Sequence, residues 1–410
     1  MTPTSTAVLR TTVLLVASAL VLTACTPAPE PTEPPVERDP LSLAVGALLP
    51  QTGSLAQFGP SAQAGVDLAV QEINEAGLGI TVTSESRDSA DATTDTAVAS
   101  VAELIALPVS VIVGPISDNV SRKVIDQVVD AGIVQISPGN VSLDFTRYDD
   151  DDLYWRTSPS CTLEGDALGR RIAEDGVQSI GIIYQEGYCE PGLPEALSAA
   201  FERAGGDVVA SSSFAAGAGD LSGQVSEVVA AAPDAVVMLT NSASQLAVPG
   251  LQSAGFTGDQ LYFVGLGLGD HSADFPAGSL TGSLATQPGL DISTLKAFTD
   301  RLLTINPALT DFSYAAEAYD AVTLAALAAL AANDTTGAGI ASALQEVSGG
   351  SGAGMPVREF AEGAQLILDG EVIDYDGPSG AITFDDAGDP QGAVIGLYRY
   401  GADNTYTRVD

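Results

Sequence analysis

The chain has 410 residues, 45% of them hydrophobic, and carries 53 acidic against 15 basic side chains for a formal net charge of -38. Such a surface repels a phosphate backbone, which excludes nucleic acid as a partner. The length exceeds what one hydrophobic core usually supports, so more than one lobe is expected.

The N-terminus reads first as a targeting segment. Residues 11–25, TTVLLVASALVLTAC, form an apolar run behind the single basic residue Arg10, the pattern of a secretion signal. The run is shorter than the roughly 18 continuous apolar residues wanted for a membrane span. It ends in Leu22-Thr23-Ala24-Cys25, which resembles the lipobox of bacterial lipoproteins, where the Cys25 thiol receives a diacylglycerol and becomes the mature N-terminus. Each buried acyl methylene then contributes about 0.8 kcal/mol of anchoring. Thr26 to Pro40 holds six prolines in fifteen residues and no large hydrophobe except Val36. A segment of that kind extends at about 3.1 Å per residue as a semi-rigid stalk. Residues 1–24 are therefore expected to be a signal peptide and 25–40 a lipidated cysteine with its stalk. The body is expected outside the cytoplasm, anchored to the cell membrane.

From Leu41 onward, short β-rich runs alternate with helical periodicity. LSLAVGALL is followed by SAQAGVDLAVQEINEAG, where Val66, Val70 and Ile73 recur at helical spacing and Gly77 stops the helix. ITVTSES, VSVIVG and GIVQIS read as further strands, separated by TDTAVASVAELIAL and NVSRKVIDQVVDAG. This is the pattern of a parallel, doubly wound half. After the polar stretch Tyr148 to Asp152 it restarts, with strands SIGIIYQ, GDVVASSSF, DAVVMLT and QLYFVGL and the helices LPEALSAAFERAG, LSGQVSEVVAAA and SQLAVPGLQSAG between them. Beyond Leu290 come the helices ISTLKAFTDRLLTI and Tyr314 to Ala332, then a Gly/Ser-rich break at Ser348 to Gly354. GAITFDDAGD is expected as a strand running into a turn, and AVIGLYRYG with TYTRVD as a terminal hairpin.

Besides Cys25 there are two cysteines, Cys161 and Cys189. In an oxidising compartment such a pair tends to bridge, which would stabilise by roughly 3 kcal/mol; two free buried thiols are the alternative. The run Asp149 to Asp152 lacks the glycine and spacing of a calcium loop and reads as a solvated turn, so no metal is expected. Nor is a cofactor expected.

Seven segments in order, VGALLPQTGSLAQFG, GVDLAVQEINEAG, VIVGP, IVQISPGN, WRTSPS, AEAYDAVTLAALA and GPSGAITFDDAGD, resemble the solute-binding proteins of the branched-chain amino-acid type. These are Leu/Ile/Val-binding-like proteins of ABC importers with the type I periplasmic-binding fold, here in lipoprotein form. The resemblance implies two doubly wound, Rossmann-like α/β lobes joined by a three-segment hinge: residues 41–157 plus 288–390, and 158–287 plus 391–410. It implies a small-molecule solute enclosed between the lobes, an ABC permease and its ATPase as partners, and a monomer.

The same resemblance nominates the site, at the carboxyl ends of the strands where open α/β sheets bind ligands. Phe58 takes the place of an aromatic that flanks the solute. Ser117 and Asp118 lie at a helix start suited to anions, where the family grips a solute carboxylate with a serine hydroxyl. Asp118 stands at that serine, and it either caps the helix or faces the solute and prefers an ammonium, amidine or hydroxyl group. Gly139 would offer a backbone carbonyl, and Val141 replaces an expected hydroxyl, with Asn140 and Ser142 beside it. From the second lobe, Tyr188 matches an aromatic packed on the solute, and a Cys161–Cys189 bridge would stiffen that wall. Thr240, Asn241 and Ser242 follow a strand. Asp270 lies three residues beyond Gly267, near which the family carries an acid for the solute ammonium. His271 next to it reads as a surface-loop residue. Tyr314 is a hinge-side contact, and Tyr319 belongs to the core.

An enzyme is not expected. G-x-S-x-G and G-x-x-x-x-G-K are absent, and one histidine with no C-x-x-C leaves little for a triad or zinc. The alternative to an importer component is a sensor of the same fold that presents its closed form to a signalling partner.

Overall fold

The structure, a computed structural model, describes residues 39–187, 189, 192–240, 243–264, 269–290 and 295–409. The expectations that fall on Cys25, the signal and the stalk up to residue 38 lie outside the described residues.

The first half is built from β1 (Leu41–Leu49), α1 (Gly59–Ala76), β2 (Ile80–Asp88), α2 (Thr96–Ile105), β3 (Val111–Val113), α3 (Asp118–Asp130), β4 (Val134–Ser137), α4 (Leu143–Thr146) and β5 (Tyr154–Arg156). Its sheet has the order β2-β1-β3-β4-β5, with every neighbouring pair parallel. The strands β3, β4 and β5 are buried along their whole length, as expected when helices cover both faces of a parallel sheet.

The chain then enters a second set: α5 (Cys161–Glu174), β6 (Ser179–Gln185), α6 (Gly192–Arg203), β7 (Asp207–Phe214), α7 (Ser222–Ala230), β8 (Ala235–Leu239), α8 (Ser244–Ser253), β9 (Leu261–Val264) and β10 (Leu284–Pro288). It returns to the first half with α9 (Lys296–Ile305), α10 (Ala315–Ala332), α11 (Gly337–Val347), β11 (Met355–Val357), α12 (Phe360–Leu368) and β12 (Ile373–Tyr375). Finally β13 (Ile395–Tyr400) and β14 (Tyr406–Arg408) join the second sheet, whose order is β14-β13-β10-β9-β8-β6-β7. The β13–β14 pair is the terminal hairpin expected from the sequence, antiparallel and added to the edge of β10. Three stretches therefore cross between the sheets: after β5, after β10 and before β13.

Helix α10 is apolar on every side because it is packed on every side. It lies against α1, α11 and α12, and from Ala315 to Leu330 its residues are buried except Glu317. A helix of that kind is a core helix of a large domain. Its length and apolar composition would also suit a membrane span, but 83% of it is buried inside the protein.

The expected strand in GAITFDDAGD is not formed. Only a single bridge, Phe384 to Pro390, pairs there. The Asp385 carboxylate accepts from the Ala387 and Asp389 amides at 2.9 and 3.0 Å, and such side-chain bonds offer the backbone a turn in place of a ladder.

Candidate functional site

Three loops leave the carboxyl ends of β1, β3 and β4 side by side. After β3 the chain turns through Gly114, with φ 110°, into a cis Gly114–Pro115 bond. Ser137 at the end of β4 ties the next loop to it, donating its hydroxyl to Pro115 O at 2.7 Å and accepting from Asn140 N at 3.0 Å. The fit is close: a Cβ on Gly139 would stand 2.5 Å from Ile116 Cγ2 and 2.9 Å from Ile116 O. Gly139 is thus the residue that lets the two loops touch.

Asp118 does not cap α3. The cap position is Ser117, in extended conformation and without a side-chain cap bond, while Asp118 is the first helical residue. Its Oδ1 instead accepts the amides of Val141 at 3.0 Å and Ser142 at 3.2 Å across the gap between the loops. The other oxygen, Oδ2, has no hydrogen-bond partner among the described residues. Burial raises the carboxyl above its ordinary range, opposed by those two amides and by the charges of Arg122 and Arg156.

Both arginines are otherwise committed. Arg122 bonds Asp144 Oδ2 at 2.6 Å, Asn119 Oδ1 at 2.8 Å and Ser142 Oγ at 2.8 Å. Arg156, wholly buried, forms a two-pronged pair with Asp389, Nε to Oδ1 and Nη2 to Oδ2, each at 2.6 Å. It also donates to Ser142 O at 2.8 Å and Thr146 Oγ1 at 2.8 Å. The pair joins the end of β5 to the GDP stretch near the last crossing, and it holds the carbonyl side of the loop whose amide side Asp118 holds. Sequence reasoning missed it. Its only sequence signal was that Arg156 and Asp389 lie in WRTSPS and GPSGAITFDDAGD, two of the resembling segments.

Phe58 and Tyr314 meet edge to face, with ring centroids 5.2 Å apart, and both are half-buried. Ser61 Oγ fastens the neighbourhood by donating to Ser313 O at 2.6 Å. Tyr314 has φ 63° and stands at the start of α10. Burial, then the charges of Glu317, Asp118 and Asp311, keep the Tyr314 hydroxyl protonated, so Asp118 and Glu317 both bear on this ring. Glu317, one turn into α10, has a carboxyl raised to about 7 by burial, and its Oε2 is sealed from solvent without a partner among the described residues. Tyr319 is core, as expected, with its hydroxyl on Glu72 at 2.6 Å.

The second half meets these loops at Val141. Its carbonyl accepts from Cys161 N at 3.0 Å, with Cys189 Sγ at 3.4 Å, and its side chain packs against the cluster of Cys161, Leu193 and Leu197. Val141 is therefore an inter-sheet contact through side chain and carbonyl. Asn140 is fully buried, with Nδ2 on the Tyr154 hydroxyl at 2.8 Å and Oδ1 unpartnered among the described residues. Ser142 caps α4 through Asp144 N. Cys161 and Cys189 are bridged, with Cα atoms 6.4 Å apart.

The remaining candidates lie elsewhere. Thr240 is fully buried, and its hydroxyl accepts from Ala243 N at 3.2 Å and donates to Gln185 Oε1 at 3.3 Å, so it shapes a turn. Asp270 is exposed and its carboxylate, kept low by its bonds to Ser272, accepts Ser272 N at 2.9 Å. His271 is buried, not on the surface: its Nδ1 lies 2.8 Å from Asp274 Oδ2 and its ring contacts Phe275 and Tyr400. Tyr188, Asn241, Ser242 and Gly267 lie outside the described residues. A cavity of about 540 Å³ opens beside the β1 loop, lined by Gln51, Gln63, Asp67, Ser84 and Ser86 among others, and no candidate residue lines it.

Comparisons place the chain among known proteins. A family model described as periplasmic binding protein matches residues 42–380. The chain is 29% identical over 363 residues, 84% of each chain, to a chemotactic signal transduction system substrate-binding protein, BasB, of Halobacterium salinarum. Among solved structures it resembles the leucine-binding protein LivK of Thermotoga maritima, at 18% identity and TM-score 0.68, covering 90% of this chain and 98% of that one. It also resembles a solute-binding protein of an ABC transporter from R. palustris in complex with benzoate, at 19% identity and TM-score 0.63, covering 90% and 95%. The α/β architecture is that of the type I periplasmic-binding fold. The chain belongs to the periplasmic binding protein family.

Proposed function

We propose that this protein captures a small polar organic solute outside the cytoplasm, between lobes formed by 41–157 plus 288–390 and by 158–287 plus 391–410, and delivers it to an ABC permease. The observation that carries the reading is the convergence of strand-end loops. Val141, whose amide Asp118 accepts, contacts the Cys161–Cys189 corner of the other sheet, and Phe58 stands with Tyr314 at a neighbouring strand-end loop. A solute held there would contact both halves only when they close, which shifts an open–closed equilibrium toward the form a permease reads. The proposed contacts are Phe58, Ser117, Asp118 and Tyr314, with Tyr188 and Asn241 from the second lobe; Cys25 is proposed as the lipid anchor. Thr240 and Asp270 are not carried into this site, because their polar groups are already engaged, Thr240 with Gln185 and Ala243 and Asp270 with Ser272.

The test is calorimetric titration of the purified protein with amino acids, amides, ureas, polyamines and aromatic acids. Micromolar or tighter binding of one class supports capture; silence across all of them removes it. A second reading, a sensor feeding a signalling partner, is favoured by the likeness to a chemotactic substrate-binding protein. Co-purification from membranes separates the two, since an importer component retains a permease and ATPase and a sensor retains a transducer.

A further inference from the structure

We propose that the solute is an organic cation, an ammonium or amidinium compound with no carboxylate at the first-lobe wall, anchored by Asp118 Oδ2 beside the Phe58 and Tyr314 rings. This rests on the solute-binding reading above and narrows it.

The first ground is that the anion site is already filled. Two successive amides, Val141 and Ser142, point at one spot next to the start of α3, an arrangement that suits a carboxylate. The protein's own Asp118 Oδ1 takes both, at 3.0 and 3.2 Å. A solute carboxylate arriving there would find no free donor from that pair and a like charge within a few ångströms.

The second ground is that Arg122 and Arg156, whose charges reach Asp118, make their hydrogen bonds elsewhere. Arg122 is spent on Asp144, Asn119 and Ser142, and Arg156 on Asp389. Among the described residues Asp118 Oδ2 has no hydrogen-bond partner, and it is the charge-assisted acceptor a donor cation would use.

The third ground is independent of Asp118. Glu317 has an Oε2 sealed from solvent with no partner among the described residues, one helical turn beyond Tyr314 and close enough for its charge to act on that hydroxyl. A buried polar atom without a partner is costly, and a positive charge near Tyr314 would act on that carboxyl across the same span. The two rings, edge to face at 5.2 Å, add faces to which a cation is drawn. Burial raises both carboxyls, and a cation beside them would favour their ionised forms.

The test uses matched probes on the purified protein: 3-methylbutylamine, leucine and 4-methylpentanoate, which share one alkyl chain, and benzamidine beside benzoate and benzamide. The amine or the amidine should bind, with its carboxylate counterparts weaker by about tenfold or more, the equivalent of losing one charge-assisted bond. Asp118→Asn keeps an oxygen for the Val141 and Ser142 amides while removing the charge, and should weaken the cation by about tenfold to a hundredfold. Glu317→Gln should weaken it as well, and unchanged thermal melting would exclude misfolding. Tighter binding of leucine, 4-methylpentanoate or benzoate than of the cations overturns the cation assignment and leaves the solute-binding reading standing. So does cation affinity unmoved by both variants. Failure of every charged and neutral probe overturns both.

Discussion

Removal of the Asp389 carboxylate tests whether the buried pair with Arg156 holds the site loops. The guanidinium is fully enclosed, at 0% exposure, and Asp389 supplies two bonds of 2.6 Å to it. In Asp389→Ala the charge stays buried with only Ser142 O, Thr146 Oγ1 and a long contact to Asn140 O. Stranding one partner of a buried pair costs about 3–5 kcal/mol, most of it the penalty of the uncompensated charge. Replacing both, Arg156→Met with Asp389→Leu, removes that penalty but strands the Ser142 carbonyl, so the double variant should lose about 1–3 kcal/mol. Urea titrations of the three proteins give the values, provided the slope stays constant. Because Arg156 holds the loop carrying Val141 and Ser142, amide exchange at those residues should quicken in Asp389→Ala. A loss below about 1 kcal/mol, with unchanged exchange at Val141, would refute this reasoning.

Further outcomes follow from single features. Glu317 and Asp320 are buried acids, each raised to about 7 from ordinary values of 4.5 and 3.8. Their folded forms hold protons more tightly than the unfolded chain does. Stability should be full below the ordinary carboxyl range and fall as pH rises to about 7. For Glu317 the loss is on the order of 3 kcal/mol, and Glu317→Gln should flatten that part of the profile when urea midpoints are compared across the range. Replacing Cys161 and Cys189 together by serine opens a loop of separation 28 and should cost about 3–4 kcal/mol by the chain-entropy relation; an unaltered melting temperature in the double variant would contradict it. Gly139→Ala forces a methyl against Ile116 and should cost about 1–3 kcal/mol, with weaker solute binding by calorimetry.

Much of the fold was legible because parallel strands buried on both faces leave unbroken runs such as VIV and VQIS, while α1 and α3 carry a clear apolar stripe. The terminal hairpin was legible for a different reason, the alternation along IGLYRY. The strand assigned to GAITFDDAGD failed because Asp385 bonds its own neighbours, a local competition that hydrophobicity does not register. At the site, the resemblance brought Phe58, Asp118, the Gly139 loop and Tyr314 to one region, but it left the direction of Asp118 open. That direction depends on Val141 and Ser142, more than twenty residues away. Thr240 shows what a local pattern leaves out: a hydroxyl after a strand looks like a ligand contact, while its bonds go to Gln185 and Ala243. The Arg156–Asp389 pair spans 233 residues, a separation no local pattern reveals.

The central claim is that solute is held between the two halves, and hydrogen exchange on the protein with and without its tightest ligand tests it most directly. Protection should appear together in the segments around Phe58, Asp118 and Val141 of the first half and around Cys189 of the second. Protection confined to one half, or arising only around the cavity of Gln63 and Asp67, would contradict it.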